Sequence, residues 1–216
     1  MLDMLPSLLR GLAVTAGVTA GAAALAVVAA VAAGLARASR ARLLRWPAAV
    51  YVEVFRGTSA LVQLFWFYFV LPFFGVELPA FAAGVLVLGL NTGAYGAEVV
   101  RGAILAVPPG QRDAAAALNL GRLQTLRRVV LPQAWPAMLP PAGNLAIELL
   151  KNSTLVSLIT ITELTFAAQL ARAQTLRSAE IFGVVLVLYF ATALVITGGM
   201  RLLERRAARG LERGGR

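Results

Sequence analysis

Long apolar runs separated by short basic or proline-marked segments set the pattern of the chain. The first run, "GLAVTAGVTAGAAALAVVAAVAAGLA" over residues 11–36, carries no charge. It is longer than the roughly 7–15-residue apolar region of a signal peptide, and its arginine cluster follows it rather than leads. The pattern predicts a first transmembrane helix, with Gly17 and Gly21 as a small-residue ridge for close contact. Residues 37–57, "RASRARLLRWPAAVYVEVFRG", predict an amphipathic interfacial segment with Trp46 and Tyr51 at headgroup depth.

Three further spans of the roughly 20 residues a bilayer requires are expected on similar grounds. Residues 57–76, "GTSALVQLFWFYFVLPFFGV", make the second, and residues 78–97, "LPAFAAGVLVLGLNTGAYGA", the third. In the third, Gly89, Gly93 and Ala97 recur every four residues on one face, with Asn91 and Tyr95 on another. Residues 181–200, "IFGVVLVLYFATALVITGGM", are a clean last span.

The fourth span, "AMLPPAGNLAIELLKNSTLVSLITIT" over 137–162, is less regular. Pro140-Pro141 reads as a helix break, and Asn144, Glu148, Lys151, Asn152, Ser153, Thr154 and Ser157 follow it. Polar groups beside a broken transmembrane helix are tolerated only against protein or a wet cavity, so this stretch points to a pathway. Asn91 and Tyr95 would line that pathway or bond between helices. Glu98 and Arg101 are three residues apart and can pair on one helix face, as can Glu148 and Lys151.

With the N-terminus outside and five alternating spans, the arginines of 37–56, 101–128 and the C-terminal tail lie inside. Only Arg10, Arg172 and Arg177 then lie outside, as the positive-inside rule demands. The expectation is an all-α integral membrane protein, N-out and C-in, with one transmembrane domain over 1–216 and a cytoplasmic loop at about 101–135.

Composition narrows the chemistry. The chain is 59% hydrophobic and 14% charged, below the charged fraction of a soluble domain. Cysteine and histidine are absent, which removes disulfides, thiolate chemistry and His-based triads. No Gly-x-x-x-x-Gly-Lys-[Ser/Thr] loop precedes the single lysine, Lys151, so any ATP must be held by another chain. The net charge of +10 sits in loops between spans, which argues for orientation in a bilayer and against nucleic acid.

One segment departs from its surroundings: "QRDAAAALNLGRLQTLRRVVLPQA", 111–134. Pro108, Pro109 and Gly110 break the preceding chain, Asp113 favours a first helical turn, and the alanines of 114–117 favour helix. Asn119 tolerates the left-handed conformation that ends a helix, and a second, basic helix is expected to close at Leu131-Pro132. The product is a helix, a bend and a helix that could sit in a partner's groove.

This segment resembles the coupling loop of ABC importer permeases, which reads Glu-Ala-Ala, three residues, Gly, nine residues, Ile-x-Leu-Pro. Here it reads Asp113-Ala114-Ala115, three residues, Asn119, nine residues, Val129-x-Leu131-Pro132. Asp113 stands for Glu, Val129 for Ile and Asn119 for the hinge Gly. "FRGTSALVQLFWFYFVLP", "AYGAEVVRGAILAVPPGQ", "LPQAWPAMLPPAGN" and "ELLKNSTLVSLITITEL" are also similar to the polar amino acid (histidine/glutamine/arginine-type) permeases.

The resemblance implies a type I ABC importer permease in a bacterial inner membrane. ATPase subunits would dock at Gly110, Asp113, Ala114, Ala115, Ala116, Asn119, Leu131 and Pro132. A second permease chain, like or unlike this one, and an extracytoplasmic substrate-binding protein would complete the assembly. ATP would bind the partner subunit, and this chain would hold no cofactor or metal. A polar amino acid is the implied cargo; the second and third spans also resemble the ectoine/hydroxyectoine branch. A gradient-driven transporter and a non-transporting scaffold are the rival readings, but the first would need no coupling loop and no polar cluster is required by the second.

Overall fold

The computed structural model describes residues 5–214, and Arg216 of the basic tail lies outside them. The described residues are helical with short connections. Two helices form the spine: α1 (Leu5–Ala38) and α4 (Ala80–Ala106). They run parallel, because Gly17 faces Phe81, Gly21 faces Val85, Gly89 faces Leu25 and Gly34 faces Val100. Small residues permit this approach. A Cβ on Gly34 would lie 2.6 Å from Val100 Cβ, and one on Gly96 2.7 Å from Ala30 Cβ. In a bilayer, where apolar burial offers little drive between helices, such packing holds them together.

A parallel pair forces the chain between them to cross back, and it does so in two pieces. Helix α2 (Arg42–Gly57) packs Ala48 and Val52 against Ala33 and Ala97. Helix α3 (Ala60–Phe65) then leaves at 105° and continues as a π turn, Trp66–Val70, and a 3-10 turn, Leu71–Phe74. Two expectations are corrected here. Within the expected 57–76 span the helical run starts only at Ala60, at 105° to α2, because Thr58 and Ser59 are extended. Tyr51, expected at headgroup depth, is instead tied inward: α2 packs against both α1 and α4, and the phenol donates 2.6 Å to the Leu90 carbonyl in mid-α4.

Past α5 (Pro109–Ala117), helix α6 (Arg122–Thr125) runs through a π turn, Leu126–Val130, into α7 (Leu131–Asn152). Neither proline stop occurs. The π turn lets Leu131 N–H reach Leu126 O, so the backbone passes Pro132 without ending. Pro136, Pro140 and Pro141 lie inside α7. A proline keeps a helical φ but removes its own donor and crowds the carbonyl four residues back, a cost that α7 carries by packing against α4 and α9. The regular helix stops later, at a 3-10 stretch over Ser153–Ile159. There the Ser153, Thr154 and Ser157 hydroxyls donate to the carbonyls of Leu150, Lys151 and Thr154, competing with the backbone ladder. Thr160 turns left-handed at φ 72°. Helices α8 (Leu164–Thr175) and α9 (Ser178–Gly214) complete the chain, with α8 packed on the start of α1 and α9 along α7.

Helices α1, α4 and residues 178–207 of α9 are each long and apolar enough to cross a membrane. Counting each bent pair as one span brings the total to five.

Candidate functional site

Three groups of residues singled out in the sequence occupy three different settings. The first is the elbow. Helix α5 starts with Pro109 at its first position, where the missing N–H costs nothing, so Asp113 falls in the second turn and not the first. It ends in paired bonds, Leu120 N–H to Ala115 O at 3.0 Å and Asn119 N–H to Ala116 O at 2.9 Å, with Asn119 at φ 57°. This is the glycine-type helix terminus, made with asparagine as expected.

The elbow is tied down on its inner side. Arg112 Nη2 donates 2.8 Å to Ile104 O on α4, and Gln133 Nε2 donates 3.2 Å to Gln111 Oε1 from α7. Ala115 is 2% exposed. Gly110, Asp113, Ala114, Ala116, Asn119 and Pro132 are exposed, whereas Leu131 packs partly into the core with Val130 and Ala134. Leu118 and Leu123, 75% and 73% exposed, flank Asn119. The exposed face of the elbow is therefore Gly110, Asp113, Ala114, Ala116, Asn119 and Pro132 with Leu118 and Leu123, two leucines that sequence reasoning missed, while Ala115 and Leu131 pack toward the body.

The second group is closed. Asn91 Nδ2 donates to Phe55 O at 2.9 Å and to Gln63 Oε1 at 3.1 Å, and Gln63 Nε2 donates to Phe55 O at 3.0 Å and Thr58 Oγ1 at 2.7 Å. These two amides satisfy carbonyls freed where α2 ends inside the bundle. Asn91 is thus an interhelical strut. Tyr95 is half-buried, and the Arg56 guanidinium lies 5.2 Å from its ring centroid. Glu98 joins an ion cluster: its carboxylate lies 3.1 Å from Arg101 Nε and 3.1 Å from Arg37 Nε, and Arg37 also contacts Glu53 at 3.3 Å. The Glu98–Arg101 pair was legible as a three-residue spacing. Arg37 and Glu53 come from other helices and left no local signal.

Glu163, buried completely, belongs with the closed set. It caps α8, accepting from Thr165 N–H and Phe166 N–H at 2.8 Å each, and Tyr189 OH donates to it at 3.0 Å. Its carboxylate oxygens thus take up the backbone donors that the first turn of α8 leaves free.

The third group is open. Pro132, Pro136, Pro140, Asn144, Glu148 and Asn152 recur every four residues along α7, with Lys151 beside the last. Pro140, Pro141, Asn144, Glu148 and Lys151 are exposed, Asn152 is half-buried and Ser153 is buried. Among the described residues, no hydrogen bond or ion pair reaches the side chains of Asn144, Glu148, Lys151 or Asn152. Glu148 and Lys151 do not pair despite their spacing. Ser153, bonded to Leu150 O, is a helix-end residue.

The chain matches the family of binding-protein-dependent transport system inner membrane components over residues 26–209. It is 46% identical to the probable amino-acid ABC transporter permease protein y4tF of Sinorhizobium fredii, covering 96% of this chain and 90% of that one. It is 38% identical to the glutamine transport system permease protein GlnP of Escherichia coli, covering 94% and 93%. A solved amino acid ABC transporter with histidines superposes at a TM-score of 0.87, with 37% identity over 95% of this chain and 96% of that one. The chain belongs to this family of inner membrane permease components.

Proposed function

We propose that this family member is the membrane subunit of an ATP-driven importer of polar amino acids, and that α5 is the lever through which a separate ATPase drives it. The supporting observation is the elbow itself. One face is pinned to both α4 and α7 by Arg112, Gln133 and Ala115, and the other presents Gly110, Asp113, Ala114, Ala116 and Asn119 beside two exposed leucines. A partner that moves this elbow moves two spans together.

The same reading orients the chain N-out and C-in with five spans, which brings the elbow, Arg37 and Arg101 to the cytoplasmic face. The open ridge of α7 then faces inward. Unpaired charges on a lipid-facing helix are costly, so Asn144, Glu148 and Lys151 call for a second permease chain and a water-filled path between the two. Closure of two ATPases on ATP rocks the helices and opens that path outward, where a substrate-binding protein delivers its ligand. Hydrolysis returns it inward. Each state is favoured by what binds it more tightly, and this subunit supplies a path and a lever rather than bond chemistry. ATP stays on the partner.

The cargo class rests on the named relatives, with ectoine as the other candidate from the second and third spans. The test is reconstitution of this chain with its cognate ATPase and binding protein. Uptake of glutamine, histidine, arginine and ectoine is measured with ATP and with a non-hydrolysable analogue. Accumulation of an amino acid only with hydrolysable ATP is expected. Uptake driven by an ion gradient without ATP would overturn the proposal, and ectoine alone as cargo would replace the substrate class.

A further inference from the structure

Where α1, α2 and α4 meet at the arginine-rich end, an open cavity of about 520 Å³ is lined by Arg37, Arg42, Arg45, Trp46, Ala49 and Arg101. Its charges are unequally spent. Arg37 and Arg101 are neutralised by Glu98 and Glu53, and none of the residues lining the cavity is acidic. Among the described residues, no ion pair reaches Arg42 or Arg45. The cavity also takes in the first turns of α2, whose start at Ala41 has no side-chain cap, so unsatisfied backbone N–H groups add to the positive field.

Its rim is apolar. Trp46 is 72% exposed and Leu43 90% exposed, on the same first turns of α2 as the two unpaired arginines. A cationic recess edged by an interfacial tryptophan and a bare leucine matches a molecule that is anionic at one end and greasy at the other. We infer that this recess binds the headgroup of an anionic glycerophospholipid of the inner leaflet, with Arg42 and Arg45 on the phosphate and Leu43 and Trp46 along the upper acyl chains. A free phosphate would use the arginines but leave the apolar rim without a role. The assignment of leaflet rests on the N-out orientation given above. The contact anchors α2, the cytoplasmic half of the bent span.

The test uses the full-length permease co-purified with its ATPase, with lipid retention read by native mass spectrometry after exchange into phosphatidylglycerol or phosphatidylcholine. Each permease chain is expected to retain phosphatidylglycerol and not phosphatidylcholine. R42Q/R45Q should weaken retention about 25-fold, at about fivefold for each headgroup-level charge. R42K/R45K should restore most of it. R201Q/R205Q, which removes equal charge from the tail, should change nothing. Thermal unfolding in phosphatidylcholine checks that each variant is folded. Equal retention by R42Q/R45Q, or equal loss in R201Q/R205Q, would overturn the site. Inorganic phosphate displacing the lipid at millimolar concentration would make it a free-anion site instead and overturn the lipid assignment. These readouts are independent of uptake, so a failed transport assay and a failed lipid site are distinguishable.

Discussion

Two sets of polar residues lie within the spans, and they differ in one respect. Around α2 and α4, Asn91, Gln63 and Thr58 satisfy one another and the carbonyls at the end of α2. On α7, the side chains of Asn144, Glu148 and Lys151 have no partner among the described residues. Buried polar groups in a bilayer must be paired, so the first set explains itself as structure. The second is incomplete without something outside the chain. Polarity inside a span therefore does not mark a pathway. The proposed pathway rests instead on polarity left unanswered by the subunit's own fold.

The comparison can be broken at its closed side first. Gln63→Leu with Asn91→Leu removes both amides from Phe55 O and should cost about 3 kcal/mol, from a net loss of about 1–3 kcal/mol for each buried group left unsatisfied. Thermal unfolding of the purified chain measures it; a change within error would mean that the end of α2 is hydrated. Next comes the spine. Gly34→Ala places a methyl where Val100 already sits and should destabilise by about 1–3 kcal/mol, whereas Gly102→Ala, with open space around it, should be neutral or slightly stabilising. Equal melting temperatures for the two would contradict the close α1–α4 contact.

The elbow gives a pair of opposite outcomes. Ala115→Trp forces a ring under α5 and should disorder the elbow itself, seen as new protease cleavage near 110–120. Ala116→Trp points outward, should leave stability within about 0.5 kcal/mol, and should abolish co-purification of the ATPase. Retention of the ATPase by Ala116→Trp would remove α5 from the docking face. The smallest change in stability belongs to the open ridge. Glu148→Gln and Lys151→Met should each shift folding by less than about 0.5 kcal/mol, yet both should lower transport.

The sequence was informative wherever a local rule decided the outcome. Asn119 ends α5 in the conformation expected of it, although Pro109, read as part of the break before the helix, is the helix's first residue. Glycine spacing marked the smooth faces of α1 and α4, though not that they face each other. Sequence misled where a local rule was outweighed. Pro140-Pro141 reads as a break, but proline keeps its helical φ and the helix survives the lost donors. The actual breaks lie at Thr58 and Thr160, where nothing as loud as proline stands. Thr58 and Ser59 are extended because Gln63 and Asn91 stabilise the carbonyls before them, and Asn91 lies 28 residues from Gln63. Left-handed Thr160 and Leu176 carry residue types that do not announce that conformation. The Arg37–Glu98 contact joins separate helices and could not be read from spacing.

The central claim is that nucleotide events at the elbow change which side of the membrane reaches the α7 ridge. The chain has no cysteine, so Glu148→Cys can be labelled alone. The decisive measurement is the rate at which a membrane-impermeant thiol reagent labels Glu148→Cys from the cytoplasmic side in inside-out vesicles holding the assembled complex, with and without trapped ATP. The account predicts ready labelling without nucleotide and strong protection with ATP trapped, the protection disappearing when Ala116→Trp is added. Labelling that ignores nucleotide, or protection that persists in the Ala116→Trp complex, would contradict it.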